Sequence, residues 1–154
     1  MLIINVCSLN YASLGQSVEA VFTQTTTQTN TCIANASKVH FVGHSLGGLV
    51  IRAYLQNNPR VFNGNTLGKV VLIGTPNKGS ELANHLNGSW LMHIAGGVSQ
   101  SLITGSKSLG NTINELDINL GVIAGTKAST LTQHYFKGKN DGLVSVESTK
   151  LRAC

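Results

Sequence analysis

The sequence has 154 residues, which is enough for one domain with its own core. Hydrophobic residues make up 42% and charged residues 11%, a composition that excludes an intrinsically disordered chain. Eleven Lys and Arg against six Asp and Glu give a net charge of +5, but the basic residues are scattered and aromatic residues are only 5%, so no nucleic-acid-binding surface is predicted. We therefore expect a single domain over residues 1–154 whose charged residues form a solvated surface. Contact with an anionic membrane surface is the minor alternative and has no further support in the sequence.

The N-terminal run Met1–Val6 is apolar and predicts a first buried strand. It is too short for a signal peptide or a transmembrane helix, which leaves a cytoplasmic location as the default expectation. Three cysteines are present, Cys7, Cys32 and Cys154, and this odd number without metal-ligand spacing predicts free thiols. No metal site and no cofactor site are predicted.

A helix is predicted after this strand, because Leu14, Val18, Val21 and Phe22 lie on one helical face. The helical pattern runs into a stretch of threonine and glutamine that ends near Thr31. Because β-branched threonines are poor helix formers, we expect the helix to weaken along this stretch.

The central stretch Lys38–Tyr54 has the sequence K-V-H-F-V-G-H-S-L-G-G-L-V-I-R-A-Y. Its first part is a β-forming apolar run that stops at Gly43, and its second part carries an apolar stripe at helical spacing until Pro59 approaches. Ser45 is therefore predicted to lie in a tight turn between a strand and a helix.

Such a turn explains the spacing of the residues around Ser45. Gly43 and Gly47 are expected to leave room where the strand and the helix approach each other. The Ser45 hydroxyl is lifted clear of the backbone as a nucleophile, and the amide of Leu46 at the helix start is directed toward an oxyanion.

The motif G-H-S-L-G in this strand–turn–helix context resembles the nucleophile elbow of the lipase/esterase branch of the α/β-hydrolases, in particular small bacterial triacylglycerol-lipase-like proteins. A second stretch, V-V-L-I-G-T-P-N-K-G-S-E-L-A from Val70, resembles the strand and loop that follow the nucleophile helix in that branch. The resemblance implies a partial α/β-hydrolase fold with a mostly parallel sheet and helices on both faces. It also implies a serine hydrolase that acts on acyl esters, lipids among them, without a cofactor.

Three later segments complete the predicted pattern. Ser80 is expected to begin a helix, and Gly121–Thr126 is expected to form the fourth strand with its loop. The apolar segment Asn87–Gly110 has two interpretations, a cap over a substrate groove or an ordinary helix that covers the core.

Asp141 is the preferred candidate for the acid of a catalytic triad. It follows the last predicted strand in the loop G-K-N-D-G-L-V-S-V-E-S-T, which resembles the acid loop of the family. The other interpretation is an aspartate in an Asn-Asp-Gly turn. Asp117, the only other aspartate, lies in a stretch expected to be surface helix.

The histidine of the triad is not found where the family order Ser, acid, His requires it, because no histidine follows Asp141. His134 is the one possible substitute base, although it precedes the acid. The remaining histidines are assigned to other places, a strand, the elbow and later helices: His40, His44, His85 and His93. The family's earlier His-Gly strand is also missing, so the chain resembles the middle of an esterase cut at both ends.

Two functional hypotheses remain open. The first is a serine ester hydrolase that is incomplete as this chain, unless His134 or a partner chain completes it. The second is a catalytically inactive remnant that at most binds acyl ligands. The sequence does not specify an oligomeric state.

Overall fold

The computed structural model describes residues 5–12, 16–61, 66–80, 109–114, 118–128 and 130–151. Within them, three parallel strands form one sheet in the order β1-β2-β3, and helices connect or flank the strands. The elements in chain order are α1 (Val18–Ile33), β1 (Val39–His44), α2 (Leu46–Asn57), β2 (Leu67–Ile73), α3 (Leu109–Thr112), β3 (Leu120–Ile123) and α4 (Val146–Thr149), with short 3-10 helices at Pro59–Val61 and Gln133–Tyr135.

The sheet is in register at the carboxyl ends of its strands. His44 of β1 pairs with Ile73 of β2, and Ile73 pairs with Ile123 of β3. Binding and catalytic residues of parallel α/β sheets are found at this edge. The strands predicted around Val39, Val70 and Gly121 are thereby confirmed, and the fold is that of a partial α/β-hydrolase.

An irregularity lies at the opposite end of the sheet. Val39 pairs with Leu67 but Phe41 pairs with Val70, so β2 contains one residue more than β1 over this interval. The amide of Lys69 donates a hydrogen bond to Nδ1 of His40 over 3.0 Å. The exposed side chain of His40 thus provides a partner for an amide at the bulge.

Helix α2 forms the centre of the core because both of its sides are covered. On one side Ile51, Tyr54 and Leu55 pack against the sheet, and on the other side Leu49 and Val50 pack toward α1. The strand residues in contact are Val39, Phe41, Val70 and Leu72. Fully burying one such aliphatic side chain stabilises the fold by about 1.5–3 kcal/mol. On the opposite face of the sheet, Val42 and Ile123 are 69% and 54% exposed.

Helix α1 continues through the threonine-rich stretch, so the expectation that it weakens there is wrong. Thr25 and Thr29 are buried on the same side as Val21, at helical spacing. Their hydroxyls donate hydrogen bonds to the carbonyl oxygens of Val21 and Thr25, each over 2.7 Å. Because each hydroxyl finds a partner one turn back along the helix, these threonines can be buried as part of the core-facing stripe.

Cys7 and Cys32 form a disulfide, with their Cα atoms 6.3 Å apart, so the prediction of free thiols is wrong for this pair. The bond ties the segment before α1 to the last turn of that helix. The spacing of the cysteines in the sequence did not predict this disulfide, because the pairing depends on the N-terminal segment running back along α1. Disulfides are typical of proteins from oxidising compartments.

The predicted first strand is not observed in its described part. Asn5 and Val6 are not in a strand, and Val6 is 87% exposed, which contradicts a buried strand at this position. Several other predictions lie outside the described residues: the strand residues Met1–Ile4, the helix after Ser80, the segment 87–108, and the residues His85, His93, Asp117 and Cys154. In the parts of the chain that are described, no helix is both long and apolar enough to span a membrane.

Candidate active site

Ser45 lies in a strained turn between β1 and α2, as predicted. Its backbone has φ 51° and ψ −123°, and it is the one non-glycine residue with positive φ among the described residues. The Ser45 amide donates to the carbonyl of Ile73 over 2.8 Å, and the Ser45 carbonyl accepts from the amide of Gly48 over 3.1 Å. Backbone strain of this kind costs on the order of 1–3 kcal/mol and is concentrated at functional sites.

The close approach that requires glycine involves Gly43 and Gly48. A Cβ at Gly43 would lie 2.7 Å from the backbone of Gly48, and a Cβ at Gly48 would lie 2.7 Å from Cγ2 of Thr75. Of the described residues, a Cβ at Gly47 would meet the hydroxyl of Tyr11 alone, at an ordinary 3.8 Å. The prediction is therefore confirmed for Gly43, and among the described residues the helix comes nearest to the sheet at Gly48, the second glycine of the Gly-Gly pair.

Leu46 is the first residue of α2, and its side chain is buried in the core between the helices. The Ser45 side chain forms no cap over the helix. The first amides of a helix have no acceptor within it and carry the positive end of the helix dipole. The Leu46 amide is therefore a donor of the type that stabilises an oxyanion.

Asp141 lies at the carboxyl ends of β2 and β3, one strand away from Ser45. Its Oδ2 atom is 3.4 Å and 3.5 Å from where a Cβ would stand on Gly74 and Gly125, the residues just beyond these two strands. Its Oδ1 atom accepts hydrogen bonds from the amides of Leu143 and Val144, over 2.9 Å and 2.8 Å. The two amides fix the carboxylate through one oxygen and leave the other turned toward the strand ends.

The loop that contains Asp141 is joined to the loop after β2 by several hydrogen bonds. Asn77 donates through Nδ2 to the carbonyl of Thr149 over 2.7 Å, and the Lys78 amide donates to the carbonyl of Ser148 over 3.0 Å. Ser80 donates through its hydroxyl to the carbonyl of Leu143 over 3.0 Å. The position of the Asp141 loop therefore depends on the segment that begins at Thr75.

An exposed ion-pair network reinforces this junction. Glu147 of α4 forms salt bridges of 2.8 Å with both Lys78 and Lys150. Hydrogen bonds and charge from Lys150 and then Lys78 lower the pKa of Glu147 to about 2. The carboxylate is therefore ionised throughout the neutral and mildly acidic range.

Arg52 is a buried cation that connects α2 to two other segments. Its side chain is 2% exposed, and it donates to Oδ1 of Asn77 and to the carbonyl oxygens of Gly110 and Ile113, over 3.0–3.1 Å. Since Asn77 also binds Thr149, these bonds extend from α2 to the loop that contains Asp141. Arg52 was not identified from the sequence, although an arginine between the apolar residues Ile51 and Ala53 of a helix was the available signal.

His134 does not reach the two candidate catalytic residues. It lies exposed in the 3-10 helix Gln133–Tyr135, with its ring 3.9 Å from that of Tyr135. In the described part of the chain, no histidine forms a hydrogen bond with Ser45 or Asp141. The described residues thus bring a serine, a helix amide and an aspartate to one edge of the sheet, and none of the described histidines bridges them.

The parallel sheet, the strained serine turn and the Asp141 loop one strand away define an α/β-hydrolase fold. Two crystal structures of a Bacillus licheniformis lipase, BlEst2, are similar to this chain. The mature form matches with a TM-score of 0.66 and 22% identity over 86% of this chain, and the propeptide form with 0.59 and 21% over 86%. The chain covers 60% of the mature form and 32% of the propeptide form.

The family follows from a match to residues 5–141 of the chain. The chain belongs to the palmitoyl protein thioesterase family. No protein with a curated description matches it.

Proposed function

We propose that this chain is the nucleophile-bearing part of a serine ester hydrolase that cleaves acyl esters. Ser45 attacks the acyl carbon, the Leu46 amide binds the oxyanion, and Asp141 orients the histidine that takes the serine proton. Residues 1–154 act as a single domain in this proposal. No cofactor takes part in the reaction.

The single observation that carries the proposal is the strained backbone of Ser45. A serine is held at φ 51° only where the surrounding structure imposes it, here through its bonds to Ile73 and Gly48. The turn has no need of a serine for capping, since its side chain makes no capping bond. A nucleophile that must stand clear of the backbone gives a reason for the strain.

The arrangement of Asp141 supports its role as the orienting acid. One carboxylate oxygen is held by two backbone amides, and the other is directed toward the ends of β2 and β3. An acid that must bind the N–H of an imidazole needs one free oxygen in a fixed position. Asp141 meets this requirement one strand away from Ser45.

The proposed substrates are acyl esters, including acyl thioesters and lipids. The family description names a thioesterase, and the structural relatives are lipases. The same three groups serve both reactions, because each passes through a tetrahedral oxyanion on an acyl carbon. The leaving group, an alcohol or a thiol, is the difference.

We further propose that the chain alone turns substrate over very slowly, because the histidine base is missing from its expected place. Removal of the histidine from a serine hydrolase lowers turnover about 10⁶-fold. The second candidate function, an inactive remnant that binds acyl ligands, is favoured by the exposed position of His134. The two differ in whether Ser45 is reactive at all.

The experiment that tests the proposal is labelling with a fluorophosphonate, followed by mass spectrometry of the labelled peptide. We expect slow modification of Ser45 in the wild type and no modification in Ser45→Ala. Ser37→Ala removes an exposed serine outside the site and should be labelled at the wild-type rate. If Ser45 of the wild-type protein stays unlabelled under conditions that preserve the fold, the hydrolase proposal is contradicted and the second candidate, an inactive remnant that binds acyl ligands, is supported. Rapid hydrolysis of a short p-nitrophenyl ester, abolished by Ser45→Ala, would contradict the predicted incompleteness.

A further inference from the structure

Tyr11 brings a hydroxyl group to the first turn of the nucleophile helix. Its ring is partly buried and packs against the cluster that contains Leu46 and Leu49. Its hydroxyl oxygen lies 3.8 Å from where a Cβ would stand on Gly47, two residues after Ser45. The Tyr11 hydroxyl makes no hydrogen bond with the described residues, so its proton is available to a ligand.

Two cross-links to α1 fix the segment that carries Tyr11. The side-chain amide of Gln28 forms two hydrogen bonds with the backbone of Asn10. Gln28 Oε1 accepts from the Asn10 amide over 2.9 Å, and Gln28 Nε2 donates to the Asn10 carbonyl over 2.6 Å. The disulfide between Cys7 and Cys32 anchors the same segment three residues earlier. Tyr11 is therefore positioned by a well-connected segment, which reduces the entropy lost when a ligand binds.

Burial raises the pKa of the Tyr11 phenol above its ordinary value of 10. The group is therefore protonated at neutral pH and can act as a hydrogen-bond donor. It stands at the same helix terminus as the Leu46 amide, the proposed oxyanion donor.

We propose that the Tyr11 hydroxyl donates a hydrogen bond to the acyl oxygen of an ester bound at Ser45, beside the Leu46 amide. The inference rests on the proposed function, since it requires the acyl group to lie at the elbow. It makes Tyr11 a substrate-contacting residue. The donor then comes from the disulfide-anchored segment before α1, outside the elbow and the acid loop.

Binding of decanoate, measured by titration calorimetry, tests the proposal without requiring turnover. Decanoate is the product of decanoyl ester hydrolysis, and its carboxylate oxygen takes the place of the acyl oxygen. We expect Tyr11→Phe to weaken binding about 10- to 100-fold, the factor for one hydrogen bond to a charged group. Tyr54→Phe is the matched control, because it removes a hydroxyl at the far end of the same helix, where Tyr54 binds Asn30; its affinity should equal that of the wild type.

A second variant locates the ligand. Gly47→Leu places a side chain in the space before the Tyr11 hydroxyl, and we expect it to abolish decanoate binding while the circular dichroism spectrum remains native. Equal affinities of wild type and Tyr11→Phe, or no binding by the wild type, would overturn the inference. The failure of this inference can be distinguished from the failure of the proposed function, because Ser45 labelling is a separate measurement. If Tyr11→Phe loses decanoate binding and Ser45 is not labelled, the Tyr11 contact is supported and the hydrolase function is contradicted.

Discussion

Gly48 of α2 packs directly against the side chain of Thr75, the residue that follows β2 by two positions. A Cβ on Gly48 would lie 2.7 Å and 2.8 Å from Cγ2 and Cβ of Thr75. Thr75 is fully buried and cannot move toward solvent. The contact sets the distance between the serine turn and the loop after β2, to which the Asp141 loop is hydrogen-bonded.

This contact predicts opposite effects for two neighbouring glycines. Gly48→Ala should destabilise the fold by about 1–3 kcal/mol, because the added methyl overlaps Thr75. Gly47→Ala is the matched control and should stabilise the fold by up to about 1 kcal/mol, because the new methyl has space and alanine favours the helix. Urea unfolding followed by circular dichroism measures both, and equal effects of the two substitutions would show that the helix does not approach the sheet as described.

Arg52→Met is predicted to destabilise the fold by at least about 2 kcal/mol. The substitution keeps the aliphatic bulk but leaves the buried acceptors on Asn77, Gly110 and Ile113 without their donor. Arg60→Met is the control, since Arg60 is exposed in the 3-10 helix after α2. The comparison uses the midpoint of urea unfolding, and similar midpoints for both variants would contradict the buried network.

Cys7→Ser is predicted to lower the free energy of unfolding by about 2–4 kcal/mol, because the disulfide closes a loop between residues separated by 25 positions. Thiol titration of the unfolded, unreduced protein should give one reactive thiol for the three cysteines of the sequence. Three reactive thiols would show that the pair is not oxidised. Reduction of the wild type should reproduce the stability of Cys7→Ser.

Glu147 is predicted to make stability depend on pH in the acidic range. The pKa of Glu147 is lowered from 4.5 to about 2, so its contribution is fully present above pH 4.5 and is lost as the pH falls toward 2. Glu147→Gln should remove this part of the dependence, while Glu19→Gln, at an exposed carboxylate of α1, should retain it. Thermal unfolding between pH 6 and pH 2 measures the effect, which should shrink at high salt because the pairs are exposed.

The parts of the fold that the sequence predicted are those determined by local patterns. The strand before Gly43, the helix after Ser45 and the turn between them follow from hydrophobic periodicity and glycine placement within about twenty residues. The same holds for β2 and β3, which are short apolar runs closed by glycine. Asp141 was proposed as the acid because its loop resembles the acid loop of the family, and its role stays a prediction.

The features that the sequence did not predict depend on contacts between distant segments. The disulfide joins Cys7 to Cys32, and the buried threonines of α1 are acceptable only because each hydroxyl binds a carbonyl one turn earlier. Gly48 is required because Thr75 lies against it, which no pattern around Ser45 reveals. Tyr11 approaches the elbow only because its segment folds back along α1.

The bulge opposite His40 lies at the amino ends of the strands, whereas the pairing of His44, Ile73 and Ile123 at the other end is regular. Strand length in this domain is therefore adjusted at the end remote from Ser45 and Asp141. An inserted or deleted residue near Gly68 can be absorbed there without moving the serine turn or the acid loop. This makes the amino edge of the sheet the suitable place to lengthen a connection or fuse a second polypeptide. The same change at the carboxyl edge would shift Ser45 and Asp141.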